Sequence, residues 1–119
     1  MPHVLVCEGH DAVNQLLCEV LVREGFGCSA AATPAEAESA LERQYVDLVI
    51  LDIAYPHGRS GLPLLERARR DGIKAIVVTA HPTAHLAEDV RVIRNPFPIA
   101  RLRAAIREVL ADQLAPPHA

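Results

Sequence analysis

The stretch LVILDIAYPHG, residues 48–58, runs four apolar residues directly into a carboxylate. Leu48 to Leu51 have the length and composition of a strand buried on both faces. Burying an unpaired charge is costly, so Asp52 marks the point where the strand leaves the core. The residues after it, AYPHGRSG, are rich in turn formers and read as a loop. The fold and the function both turn on what an acid does at that strand end.

Working outward, strand and helix patterns alternate. HVLVC (3–7) reads as a short buried strand. Asp11 can cap a helix reaching Glu24, with Val13, Leu16, Leu17, Val20 and Leu21 at the spacing of one apolar face. Gly25 and Gly27 flank Phe26 and end it, and FGCSAA (26–31) is a weaker strand. Thr33 as cap and Pro34 in the first turn open a second helix. VDLVILD (46–52) is the strongest strand. A helix over Leu62–Asp71, closed by Gly72, leads to the strand KAIVVTA (74–80). HPTAHLAED (81–89) has room for a short helix at most, before a fifth strand, VRVIR (90–94). NPFP then turns the chain into a last helix carrying Ile99, Leu102, Ile106, Val109 and Leu110. Residues 1–112 are expected to form one domain, with a frayed tail over 113–119.

Strands alternating with helices predict an α/β fold. Continuous apolar strands fit a parallel sheet covered on both faces. The expected architecture is a doubly wound five-stranded sheet of order 2-1-3-4-5, in which ligands bind beyond the carboxyl ends of strands 1 and 3. That rule puts Glu8, after the first strand, beside Asp52. Thr79, at the end of the fourth strand, and Asn95, after the fifth, fall on the same rim.

Bulk composition narrows the classes. The chain has 119 residues, 50% hydrophobic and 23% charged, with a net charge of -3. These values suit one soluble globular domain and give no nucleic-acid footprint. RARR (67–70) reads as the solvated face of a helix. Cys7, Cys18 and Cys28 are odd in number, widely spaced and set among apolar residues, so free thiols are expected. The N-terminus lacks a signal-peptide pattern and no apolar run reaches bilayer length, so no membrane partner and a cytoplasmic location are expected.

At this point the sequence resembles a known family, the response-regulator receiver domain of two-component signalling. The resemblance covers nearly the whole chain. It is carried by VLVCE at the first strand, DLVILDIAYPHGRSG around Asp52, VVTAH at the fourth strand and NPFP before the last helix. The second motif is the most specific, with Pro56 four residues after the acid and Gly61 before the third helix. The resemblance implies a flavodoxin-like fold and a bacterial signalling protein that is not an enzyme. It implies Asp52 as phosphoacceptor from a sensor histidine kinase or phosphotransfer protein, and Thr79 as hydrogen-bond donor to the phosphoryl group. It implies Mg2+ held by Glu8, Asp52 and the backbone carbonyl of Ala54. A kinase would dock near the first helix and the loop before the last one. A homodimer would use the fourth helix, the fifth strand and the last helix.

Four features depart from the family pattern. Gly9 stands where the family has a second acid, which weakens a Mg2+ site. Asn95 stands where the family has lysine, so the amide brings a donor but no positive charge. Val92 stands where an aromatic usually relays the threonine's movement, and the fourth helix is shortened. Losing one acid and one base leaves the site's formal charge unchanged, but the transition state for phosphoryl transfer loses a cation.

Two functions follow. One is a single-domain regulator in a phosphorelay, signalling by protein contact. The other is a degenerate receiver, independent of phosphorylation, that acts as a constitutive interaction or dimerisation module. A hydrolase with Asp52 as nucleophile is disfavoured, since the haloacid-dehalogenase type needs a second acid where Ala54 stands. His10, His57, His81 and His85 fall in loops near the sheet mouth and, with Glu8 and Asp52, make a further transition-metal candidate. Scattered solvated histidines are the simpler account.

Overall fold

The computed structural model describes residues 1–52, 61–80, 90–94 and 96–114. The strands are β1 (His3–Cys7), β2 (Gly27–Ala31), β3 (Leu48–Asp52), β4 (Lys74–Thr79) and β5 (Arg91–Arg94). The helices are α1 (Asp11–Arg23), α2 (Pro34–Arg43), α3 (Leu62–Arg70), α4 (Ile99–Val109) and the single turn α5 (Ala111–Leu114). The strands form one sheet in the order β2-β1-β3-β4-β5, and every pair is parallel. This is the expected doubly wound order.

The central strands are apolar between their end residues because both faces are covered. Val4, Val6, Leu48, Ile50, Ile76 and Val78 pack with Leu17 and Leu21 of α1 and Leu102 and Ile106 of α4. The alternate residues Leu5, Val49, Leu51 and Val77 pack with Ala37 and Ala40 of α2 and Leu64, Leu65 and Ala68 of α3. Successive side chains point to opposite faces, so one strand feeds two cores.

Helix ends follow local chemistry. Thr33 caps α2 by accepting from the Glu36 amide at 3.1 Å, and Glu36 reaches back to the Ala32 amide at 2.7 Å. This reciprocal pair satisfies two otherwise orphaned donors. Gly72 follows α3 with φ +75°, a left-handed turn that favours glycine.

Some expectations are corrected. Asp11 is the first helical residue of α1, not its cap; His10 holds the cap position without a capping side-chain bond. The buried face of α1 is Asn14, Leu17 and Leu21, while Val13 and Leu16 are 40% and 55% exposed. Apolar spacing could not tell which of two adjacent stripes turns inward. Gln113 and Leu114 complete the single turn α5, and residues 115–119 lie outside the described residues. The short helix expected over 81–89 lies outside the described residues.

The cysteines carry the largest correction. Cys18 and Cys28 form a disulfide, with Cα atoms 5.5 Å apart, and only Cys7 is a free thiol. The two look distant in sequence, but α1 turns at Gly25 and the chain returns along it as β2. The bond closes a loop with a separation of 10 residues. Loop-closure entropy assigns it about 3 kcal/mol of stability. Chemical denaturation with and without reductant is expected to show a loss of that order, and a Cys18→Ser, Cys28→Ser double variant to show no response to reductant.

Candidate functional site

The pleat and the register build the site. Cys7 pairs with Leu51 across β1 and β3, so the next residues, Glu8 and Asp52, sit side by side at the carboxyl end of the sheet. Both have the parity of Val6 and Ile50, which puts them on the α1 and α4 side of the sheet. There they line one groove of about 280 Å3. Its walls are Val13, Leu16 and Leu17 of α1, with Pro96, Phe97 and Ile99 at the start of α4. Phe97 is half-buried and packs on the core while also facing the groove.

The backbone around Glu8 is held firmly. Asn14 is 4% exposed, and its amide donates to the Glu8 carbonyl at 2.7 Å and the Ala31 carbonyl at 3.4 Å. It therefore ties the ends of β1 and β2 to α1. Its Oδ1 is buried with no hydrogen-bond partner among the described residues. Sequence reasoning missed Asn14; the signal was a polar residue one position from Val13, inside an apolar helix pattern. Gly61 contributes by its lack of a side chain. A Cβ there would lie 3.1 Å from Leu51 Cδ1 and 3.2 Å from the Asp52 carbonyl oxygen. The start of α3 can thus sit directly against the end of β3.

His10 is the second feature beyond expectation. Its Nδ1 lies 2.9 Å from Glu8 Oε1, and its amide donates to the same oxygen at 3.3 Å. The hydrogen bond to Glu8, the Glu8 charge and the more distant Asp52 charge hold the imidazole pKa above its ordinary 6.5. The ring remains largely exposed.

Thr79 ends β4 and is 2% exposed. It lies one step past Val78, which pairs with Asp52 across β3 and β4. Thr79 is not among the residues lining the groove. Asn95 and Ala54 lie outside the described residues, as do His57, His81 and His85. Among the described residues no group of three or more His, Cys, Asp or Glu side chains is arranged to hold a metal ion. Glu8 and Asp52 nevertheless offer the hard carboxylate oxygens that Mg2+ prefers, and they share one groove, so the donor chemistry fits that ion. Arg67, from the basic run, is engaged with Glu38, Glu42 and Asp71.

A family model described as response regulator receiver domain matches residues 4–107. The chain belongs to the response-regulator receiver family. Among its relatives is sporulation initiation phosphotransferase F of Bacillus subtilis, 26% identical, with 90% of this chain and 92% of that protein covered. The transcriptional regulatory protein BasR of Escherichia coli is 32% identical over 90% of this chain but only 51% of its own length. The receiver therefore spans about half of the longer regulators it matches. A solved response regulator from Thermotoga maritima, TrrA, in complex with Mg2+-BeF, superposes with TM-score 0.77 at 29% identity, covering 92% of this chain and 100% of that one. The non-phosphorylated HemR receiver domain of Leptospira biflexa shares the fold at TM-score 0.82 and 24% identity, covering both chains fully. Among the described residues no helix is long and apolar enough to cross a membrane.

The Glu8 contact fixes the sign of a pH effect at His10. A raised pKa means that the pair's contribution is complete below the ordinary histidine value and fades as pH rises through the raised one. An NMR titration is expected to place the His10 midpoint above 6.5, and Glu8→Gln to bring it back toward that value.

Proposed function

We propose that this receiver accepts a phosphoryl group on Asp52 from a phosphohistidine of a sensor kinase or phosphotransfer protein, and signals by protein contact. The observation that carries this reading is the pair of carboxylates, Glu8 and Asp52, at the rim of one groove with an apolar wall from α1 and Phe97. An Asp52 carboxylate oxygen attacks phosphorus, a P–O bond forms, the P–N bond breaks, and the imidazole is protonated as it leaves. Glu8, Asp52 and the Ala54 carbonyl would hold Mg2+, which would neutralise the phosphoryl oxygens when bound. Thr79 would donate its hydroxyl to a phosphoryl oxygen, and the Asn95 amide would replace the usual cation with a neutral donor. The exposed Val13 and Leu16 beside the groove give a partner helix an apolar footing. The match to the Bacillus phosphotransferase, over 92% of that protein, supports a role in phosphotransfer. In this reading the chain is a signalling protein of the cytoplasm and not an enzyme, and it binds no nucleic acid or membrane.

A second reading is favoured by Val92, which is 44% exposed on the edge strand β5. Without an aromatic there to move inward, the surface of β5 and α4 has no switch part and would present one constant face. That describes an atypical receiver acting as a constitutive interaction module or homodimer. Arg91 already joins the two elements through Glu108 at 2.6 Å.

Intact mass after incubation with Mg2+ and a small phosphodonor separates the two. One added phosphate in wild type and none in Asp52→Asn is the outcome expected of the phosphoacceptor; no gain in either favours the constitutive module. Restoring the cation with Asn95→Lys is expected to raise the rate of phosphate uptake by at least about tenfold.

A further inference from the structure

The bond between Cys18 and Cys28 joins the helix that walls the groove to the edge strand of the sheet. α1 meets β2 and the residue leading into it, Phe26, at three levels. Near the sheet mouth, Asn14 donates to the Ala31 carbonyl. At the far end, Leu21 and Phe26 are buried in the same core. The disulfide lies between these two. The middle tie is thus the one covalent link in a contact that polar and apolar groups already complete.

The three cysteines divide by environment. Cys7 is buried at 1% exposure, and burial pushes its thiol up to about 12, so it is inert. Cys18 and Cys28 are only half-buried, at the edge of the core. Both keep part of their surface in contact with solvent. Their Cα separation of 5.5 Å suits both a bonded pair and two adjacent thiols. Permanent disulfides belong to oxidising compartments, whereas in a glutathione-buffered one such pairs are transient or sensory.

We propose that Cys18 and Cys28 form a reversible thiol–disulfide switch that reacts with low-molecular-weight disulfides and sets how firmly α1 is held to the sheet. The exchange balances. One cysteine thiolate attacks a sulfur of oxidised glutathione and releases one glutathione thiol. The second thiolate attacks the protein sulfur of the mixed disulfide and releases the other glutathione thiol. The protein thiols lose two electrons and two protons, and one oxidant disulfide becomes two thiols. In the reduced form α1 keeps Asn14 and its apolar face but loses the covalent tie. Val13, Leu16 and Leu17 then line the Asp52 groove from a looser helix. The switch does not depend on phosphotransfer, and its test reads thiols and backbone opening alone.

The full chain is equilibrated in graded mixtures of reduced and oxidised glutathione, quenched with acid, alkylated and mapped by mass spectrometry. Cys18 and Cys28 are expected to pass together from both labelled to neither across the series, while Cys7 stays unlabelled until the protein is unfolded. In the reduced form the α1 amides are expected to exchange about tenfold faster and to open ahead of those of β3 and β4, which exchange only through global unfolding. Cys28→Ser and Cys18→Ser should both show the fast exchange in every buffer. A pair that stays closed in excess reduced glutathione, or open in excess oxidised glutathione, overturns the proposal. So does equal α1 exchange in the two states.

Discussion

The pairing that sets Cys7 against Leu51 is the constraint on which the rest depends. A parallel ladder fixes not only which residues are neighbours but which face each one meets. With this register Glu8 and Asp52 emerge together on the α1 and α4 side. A shift of one residue would send β3's inward set to the opposite core and separate the two acids. The shift is opposed by burial on both sides, since Leu48, Val49, Ile50 and Leu51 are all 2% exposed or less. The apolar core that stabilises the sheet is therefore also what aligns the carboxylates.

Around that alignment the polar parts divide into support and display. Asn14 and Gly61 act on backbone: one anchors the Glu8 carbonyl, the other lets α3 approach the end of β3. Glu8 and His10 engage each other at the mouth of the groove. At the opposite end of the α1–α4 seam, Glu24 meets Arg103 and Arg107 at 3.5 and 2.9 Å. Exposed ion pairs of this kind contribute little to stability, but they close the seam there while the apolar groove stays open at the mouth.

β1, β3 and β4 were legible because each is built on a run of apolar residues, whereas β2 and β5 carried a weaker signal. Thr33 and Pro34 located α2 for an equally local reason. The placement of Asp52 beside Glu8 followed from the order of the strands and needed no side-chain detail. What local pattern could not supply was orientation. α1 carries two overlapping apolar stripes, and only packing decides that Asn14 goes in while Val13 and Leu16 stay out. The Cys18–Cys28 bond was illegible for a related reason: it depends on how closely β2 returns along α1, which spacing does not encode. Of the acids' partners, His10 was noticed as a loop histidine, but its bond to Glu8 is a matter of a few ångströms.

The outermost strands of the sheet, β2 and β5, are unlike each other. β5 is four residues long, and three of them, Arg91, Val92 and Arg94, are exposed. β2 has the sequence GCSAA, nearly free of large side chains. Edge strands are templates on which other chains can add and aggregate. A brief strand flanked by charged side chains is a poor template for edge-to-edge pairing, and a strand of small residues offers an incoming chain little to grip. The disulfide also bolts β2 to a helix, so the weaker edge cannot easily peel away and pair elsewhere. The sheet that concentrates the chemistry at its mouth is thus guarded along both sides against becoming the seed of a fibre.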